Sequence, residues 1–178
     1  WLEHVRDMDP DRLAWHMERL SGIGGSESAA AIAWARGDLK SRKTVHSLVK
    51  DKLLRRFPER PNADMQRGSF LEPHIRSVFE ARLTREGRKW ERLEGHEEYV
   101  AQARPTAYPW LRASVDGIYR IDGRVVIVDF KAPSPSSLKA QLRREGDDEY
   151  KVQLNHYAIV AEAAGMHIDD LWLALYDY

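Results

Sequence analysis

The stretch VVIVDFKAPS, residues 125–134, decides the fold. Val125 to Val128 form an unbroken aliphatic run that reads as a buried strand, yet Asp129 and Lys131 follow at once with only Phe130 between them. Side chains alternate across a strand, so Asp129 and Lys131 share one face. The plain reading is an ion pair at a fraying strand end. The residues just upstream supply a second reading.

Immediately before this run, YRIDGRVV places Asp122-Gly123 between two strand-like segments. Asp-Gly so flanked is the strongest short-range signal for a two-residue hairpin turn. With those two residues as the turn, Ile121 faces Arg124, Tyr119 faces Val126 and Asp116 faces Asp129, with Ser114 opposite Lys131. Directly opposed Cβ atoms lie about 4.5–5.5 Å apart. Two carboxylates at that distance repel each other, and one lysine does not satisfy both in a segment that is otherwise apolar. A divalent cation does: magnesium or manganese takes all-oxygen ligand sets of one or two carboxylates, phosphate oxygens and waters. Such an ion lowers the pKa of bound water and polarises a phosphoryl group, and Lys131 is then placed to hold the attacking water or the developing charge. The pattern D-x12-D-x-K therefore points to a metal-dependent phosphodiesterase. A longer turn with a slipped register is the competing expectation; it separates the carboxylates and leaves them as surface charges.

The whole chain bounds the rest. Its 178 residues, 43% of them hydrophobic, suffice for one sizeable core, so a single domain over 1–178 is expected. Basic and acidic residues balance at 28 each, which excludes a global field toward nucleic acid or membrane. Locally the balance breaks: residues 36–67 hold ten Lys or Arg against four acids, a surplus that suits a polyanion-facing surface or simply a solvated face. With no cysteine, thiol catalysis, disulfides and zinc–thiolate sites are excluded, and a reducing cytoplasm fits. No apolar run approaches 18 residues and no charged-then-apolar leader opens the chain, so neither a membrane span nor a signal peptide is expected. The chain starts at Trp1 and stops in a strand-like run, so further residues are expected at both ends.

Periodicity predicts helices over 11–20, 27–36, 44–57, 68–83 and 148–164, and strands over 97–103, 112–121, 124–132 and 171–176. Core stripes fall at Leu13, Met17 and Leu20; at Val45, Leu48, Val49 and Leu53; at Leu71, Ile75, Val78 and Phe79; and at Leu154, Ala158 and Ala161. The fold class expected is α/β (α+β), a mixed central sheet flanked by helices, with a helical part over 1–67 preceding a core over 68–178.

Three further positions stand out. Glu72, in RGSFLEP, is expected near the start of its helix, where a capping box with Ser69 is the plain role, weakened by Pro73. Gln153 and Tyr157 are four apart on the late helix and so share a face. GIGGSE, residues 22–27, fails the P-loop pattern because no Lys follows. Ser26 there reads as an N-cap, and a helix start with free N–H groups is an anion site.

The ordered set RGSFLEP, ASVDGIY, VVIVDFKAP and YKVQLNHYA resembles the PD-(D/E)xK nuclease superfamily, specifically the YqaJ and lambda-exonuclease group of phage recombination nucleases. WHMERLSGIGGSESAAAIA adds to the likeness, since that group opens with a similar W-H-x-x-R-x-x-x-I-x-x-S-[DE] segment. The similarity spans 15–176. It implies a restriction-endonuclease-like core and metal ligation by Asp116, Asp129 and the Phe130 carbonyl, with Glu72 as a further ligand or supporting acid. Lys131 becomes the catalytic lysine, Gln153 and Tyr157 supporting groups, and Arg19 with Ser26 the holders of a terminal 5′ phosphate. The third-motif acid is usually Glu; Asp129 is one methylene shorter.

The resemblance also implies a Mg2+-dependent 5′-to-3′ exonuclease, with Mn2+ as substitute, that resects double-stranded DNA ends beside a single-strand-annealing recombinase. A homotrimeric ring and a phage or prophage origin, in the cytoplasm of a bacterial host, belong to the same implication. Two other functions remain open: a structure-specific or restriction-type endonuclease on the same fold, and a DNA-end-binding module without catalysis. The complete Asp116, Asp129, Lys131 set argues against the last.

Overall fold

In the structure, a computed structural model, residues 6, 8–37, 43–53, 63–133, 138 and 148–176 are described. In chain order the elements are α1 (Pro10–Leu20), β1 (Ile23–Gly24), α2 (Gly25–Ala35), α3 (Val45–Lys52), α4 (Ala63–Arg85), β2 (Trp90–Arg92), α5 (His96–Gln102), β3 (Leu111–Arg112), β4 (Gly117–Ile121), β5 (Arg124–Lys131), α6 (Asp148–Ala163) and β6 (Asp170–Leu175). The main sheet runs β2-β4-β5-β6, antiparallel except for the parallel β5–β6 pair, and β1 and β3 form a separate parallel pair. The mixed sheet with helices against it is the expected class.

The hairpin turn is the one the sequence predicts. Asp122 and Gly123 both have positive φ, 50° and 84°, as a primed two-residue turn requires. Ile121 pairs with Arg124 and Tyr119 with Val126, and the ladder ends at Gly117 opposite Val128. Continued by one residue that register would set Asp116 opposite Asp129, but the ladder stops at Gly117 and Asp116 lies in a bend just before β4.

Alternation then sorts the side chains into two cores. Tyr119, Ile121, Val126, Val128 and Phe130 face one way, against Ile75, Phe79 and Leu83 of α4. Phe79 meets Tyr119, Phe130 and Trp172 edge-on at ring separations of 5.5, 5.6 and 6.2 Å, which favours T-shaped stacking. Ile118 and Ile127 face the other way, against Leu154, Tyr157, Val160 and Ala161 of α6. Being central and covered on both faces, β5 needs its continuous aliphatic run. The same parity sends Asp129 and Lys131 to the α6 face.

Several expectations are corrected. Residues 97–103 are not a strand: His96–Gln102 is helix α5, entered from Gly95 in the left-handed region and carrying Glu97 and Glu98 in its first turn, where the helix dipole favours acids. The strand predicted over 112–121 is broken: 111–112 pair with β1, and pairing to β5 begins only at Gly117. The short strands β1 and β2 were not expected. Helix α4 starts at Ala63, so a division of the chain at 67/68 falls inside it, and Ser69 lies within the helix and caps nothing. Pro73 also lies inside α4. Both Ser69 and Pro73 are exposed, so the carbonyl that the proline leaves without a donor opens to water. Met17, Val49, Leu53 and Val78, placed in core stripes, are exposed. The loops that Pro58 with Pro61 and the run SPSS at 134–137 predict, the end of the helix predicted to reach 57, and half of the basic residues in 36–67 lie outside the described residues.

Candidate active site

At the end of β5 the two charges of the opening motif meet. Asp129 is 1% exposed, and the Lys131 ammonium stands 2.5 Å from its Oδ2 and 3.8 Å from Asp116 Oδ2. The Phe130 N–H donates to Asp116 Oδ2 at 2.8 Å, so the aspartate side chain takes over where the backbone ladder stops. The Phe130 carbonyl is turned to the same corner, 3.4 Å from the Lys131 ammonium. Gln153 reaches down from α6, its amide donating to Asp129 Oδ1 at 3.4 Å and to the Tyr157 hydroxyl at 2.5 Å. The Lys131 ammonium also lies 5.6 Å from the Tyr150 ring centre, a cation–π contact one turn of α6 before Gln153.

The electrostatics follow from burial beside like charge. Burial lifts the Asp129 pKa to about 6; Lys131 pulls it down and Asp116 pushes it up. Lys131 stays above its usual value because Asp129 and Asp116 outweigh its own desolvation. Burial and then the Asp116 carboxylate raise the Glu72 pKa as well. Glu72 comes from α4, the layer opposite α6, and its Oε1 lies 3.3 Å from Arg76 Nη2.

Oxygen chemistry at this corner suits a hard cation. Asp129 Oδ2 is buried and makes no aligned hydrogen bond, its partner being the bare ionic contact with Lys131. Among the described residues no three Asp, Glu, His or Cys side chains stand close enough to hold an ion alone. Two carboxylates and a main-chain carbonyl, with water filling the rest, are what magnesium accepts; it keeps several waters and rarely uses an all-protein cage.

A second cluster adjoins the first. A hollow of about 130 Å³ is lined by Arg19, Gly24, Gly25, Ser26, Ser114 and Tyr157. Ser26 does not cap α2, as its spacing suggested: Gly24 is the N-cap, and the Glu27 carboxylate accepts from the Gly24 N–H at 3.0 Å. Ser26 sits instead in the first turn, exposed, with Arg19 Nη2 3.4 Å from its hydroxyl. Glu27 is 5% exposed and holds Lys52 at 2.8 Å and Arg19 at 3.4 Å. Burial alone would raise its pKa; the Gly24 N–H, Lys52 and Arg19 outweigh that and hold it below the usual carboxylate range. The two clusters meet at Gly25, where a Cβ would come within 2.5 Å of the Tyr157 ring and 3.0 Å of Gln153. Only glycine lets α2 approach α6 this closely.

Sequence reasoning missed Gly25, Glu27, Lys52, Arg76 and the buried pair Ser28–His156. The His156 Nε2–H donates to the Arg112 carbonyl at 2.8 Å, which leaves Nδ1 to accept the Ser28 hydroxyl at 2.6 Å. This ties α6 to α2 and β3. Burial lowers the His156 pKa, against opposing pulls from Arg112 and Glu27. The unfolded chain therefore takes up the proton first as pH falls, and stability falls with it below about pH 6.5. In chelator between about pH 5 and 8, where protonation of Asp129 acts in the opposite direction, the melting temperature of wild type should fall relative to that of His156→Gln as pH drops; parallel profiles contradict it.

No curated protein matches the chain. Among solved structures, a crystal structure of LHK-Exo in complex with dAMP is similar, with a TM-score of 0.53 at 21% identity. The likeness covers 80% of this chain and 65% of that one, so this chain spans less than two thirds of its length, and at that identity what is shared is the fold. The YqaJ-like viral recombinase domain matches residues 14–164, which include both carboxylates, the lysine and the Gln153–Tyr157 pair, and the chain belongs to that family.

Proposed function

We propose that the protein is a Mg2+-dependent deoxyribonuclease, a 5′-to-3′ exonuclease acting on linear double-stranded DNA. The observation that carries this reading is the convergence of Asp116, Asp129, Lys131 and the Phe130 carbonyl beside a hollow at the start of α2. In it Asp116, Asp129 and the Phe130 carbonyl hold the ion, with Glu72 as a further ligand or supporting acid. Bound magnesium supplies Lewis acidity toward the phosphoryl oxygen and a more acidic water. Lys131 holds the attacking water or the developing negative charge, and Gln153 fixes the Asp129 carboxylate while leaning on Tyr157. Mn2+ replaces Mg2+ on the same ligands. An annealing recombinase as partner, a ring trimer, and a phage or prophage origin with action in the cytoplasm of a bacterial host complete the proposal. Among the described residues no helix is long and apolar enough to cross a membrane.

Linear and covalently closed duplex separate this reading from an endonuclease on the same fold. With magnesium, linear DNA is degraded and closed circles survive; nicked or linearised circles would favour the endonuclease.

In the hollow, Arg19 and Ser26 at the N-terminal end of α2 take the terminal 5′ phosphate, whose extra negative charge marks an end. Each charge-assisted contact contributes about 1.5–3 kcal/mol, so a 5′-phosphorylated end should be cut about ten-fold faster or more than a 5′-hydroxyl end. Single-turnover rates on matched substrates measure this. The preference should shrink in Arg19→Ala and, to a lesser extent, in Ser26→Ala. Equal wild-type rates on both ends would remove the end-sensing role.

A further inference from the structure

We infer that Arg76 is the positioning residue of the ligand set, holding Asp116 and Glu72 at the geometry an ion needs; this rests on the metal reading above. Asp116 is a proposed ligand that lies outside the sheet ladder. It lies past the last rung of the β4–β5 ladder, so its main chain has no strand partner there. Its carboxylate is fixed by the Phe130 N–H, and its backbone carbonyl by Arg76 Nη2 at 2.8 Å. The same nitrogen lies 3.3 Å from Glu72 Oε1, one helical turn back on α4. The guanidinium carbon stands 5.8 Å from the Phe130 ring centre, over the residue whose carbonyl completes the set. One side chain thus bonds the Asp116 carbonyl, pairs with Glu72 and lies over the Phe130 ring, and it joins α4 to the ends of β4 and β5.

Its chemistry suits this task. A planar guanidinium presents several donors in fixed directions and stacks on an aromatic ring, which a lysine ammonium does not reproduce. Arg76 has a side-chain exposure of 23%, its Nε is buried without a hydrogen-bond partner, and it lies on the α4 side of the sheet, opposite Lys131. A cation in that place does not replace a ligand. It fixes the direction of two carboxylate-bearing residues from behind, as supporting partners do in metal sites, where their loss weakens metal affinity by about 10–100-fold.

The test is Mn2+ binding followed by calorimetry on the whole chain, for wild type, Arg76→Met, Arg76→Lys and Asp116→Asn, beside Mg2+ titrations of DNA cleavage. Arg76→Met should weaken Mn2+ binding about ten-fold or more and raise the Mg2+ needed for half-maximal cleavage. The maximal rate at saturating Mg2+ should recover to within a few-fold. Arg76→Lys should lie between, keeping the bond to the Asp116 carbonyl without the second contact, and it reads the effect even where Arg76→Met folds poorly. Unchanged Mn2+ affinity with only a lower melting temperature would make Arg76 a structural tie and overturn the inference. So would tighter Mn2+ binding, which would mean that its charge merely repels the ion. Unchanged affinity in Asp116→Asn would overturn the metal reading itself, and the inference with it.

Discussion

Asp129→Asn and Asp116→Asn should each abolish DNA cleavage while leaving the protein folded. Each removes one of the two carboxylates that face the open end of β5, and an amide is a poor ligand for a hard cation. The loss should reach at least about 10²–10³-fold, the scale of one electrostatic group removed from a reaction centre. Their effect on stability should run the other way for Asp116→Asn. In chelator near neutral pH, the wild type holds the like charges of Asp116 and Asp129 close together, and burial has lifted the Asp129 pKa to about 6. A carboxyl with a raised folded pKa binds its proton more tightly in the native state, so its ionisation opposes folding above about pH 6. Removing the neighbouring charge eases that strain, and the melting temperature of Asp116→Asn in chelator should equal or exceed that of wild type. Normal turnover in either variant would remove the metal assignment.

Lys131→Ala separates catalysis from pairing. The ammonium is 2.5 Å from a buried carboxylate, so loss of stability is expected whatever else it does. In saturating Mg2+ that cost should be partly relieved, because the cation then answers Asp129. If Lys131 also steadies the attacking water or the developing charge, single-turnover cleavage should fall about 10²-fold or more with DNA affinity near normal. A parallel fall in affinity and rate would mark Lys131 as a phosphate contact. Loss of stability with an unchanged rate would reduce it to a structural ion pair.

What was legible in the sequence was local. Asp122-Gly123 sets the turn, the turn sets the register down to Gly117 opposite Val128, and Asp116 then reaches the end of β5 beside Asp129 and Lys131; every step spans fewer than about fifteen residues. Gln153 and Tyr157 were placed together by helical spacing, and their aim at Asp129 follows from which face of β5 is odd-numbered. The misreadings had equally local causes. Residues 97–103 carry Tyr99 and Val100, β-favouring types, and the left-handed Gly95 that opens a helix there is only weakly announced by its residue type. Two- and three-residue strands such as β1 and β2 have no period to detect. Ser26 lost the cap to Gly24 because Glu27 reaches back to the Gly24 N–H, which moves the helix start by two residues. Arg76, Glu27, Lys52 and the Ser28–His156 bond act across 25 to 128 residues of chain, and nothing in their own neighbourhoods shows it.

The most direct measurement is release of label from 5′-end-labelled linear duplex, followed in time with Mg2+ and with chelator, for wild type and Asp129→Asn. A two-carboxylate metal site acting at DNA ends gives early release of labelled mononucleotide by wild type in Mg2+, none in chelator and none from Asp129→Asn. Release that persists in chelator, or at the wild-type rate in Asp129→Asn, would show that the corner formed by Asp116, Asp129 and Lys131 is not where DNA is cut.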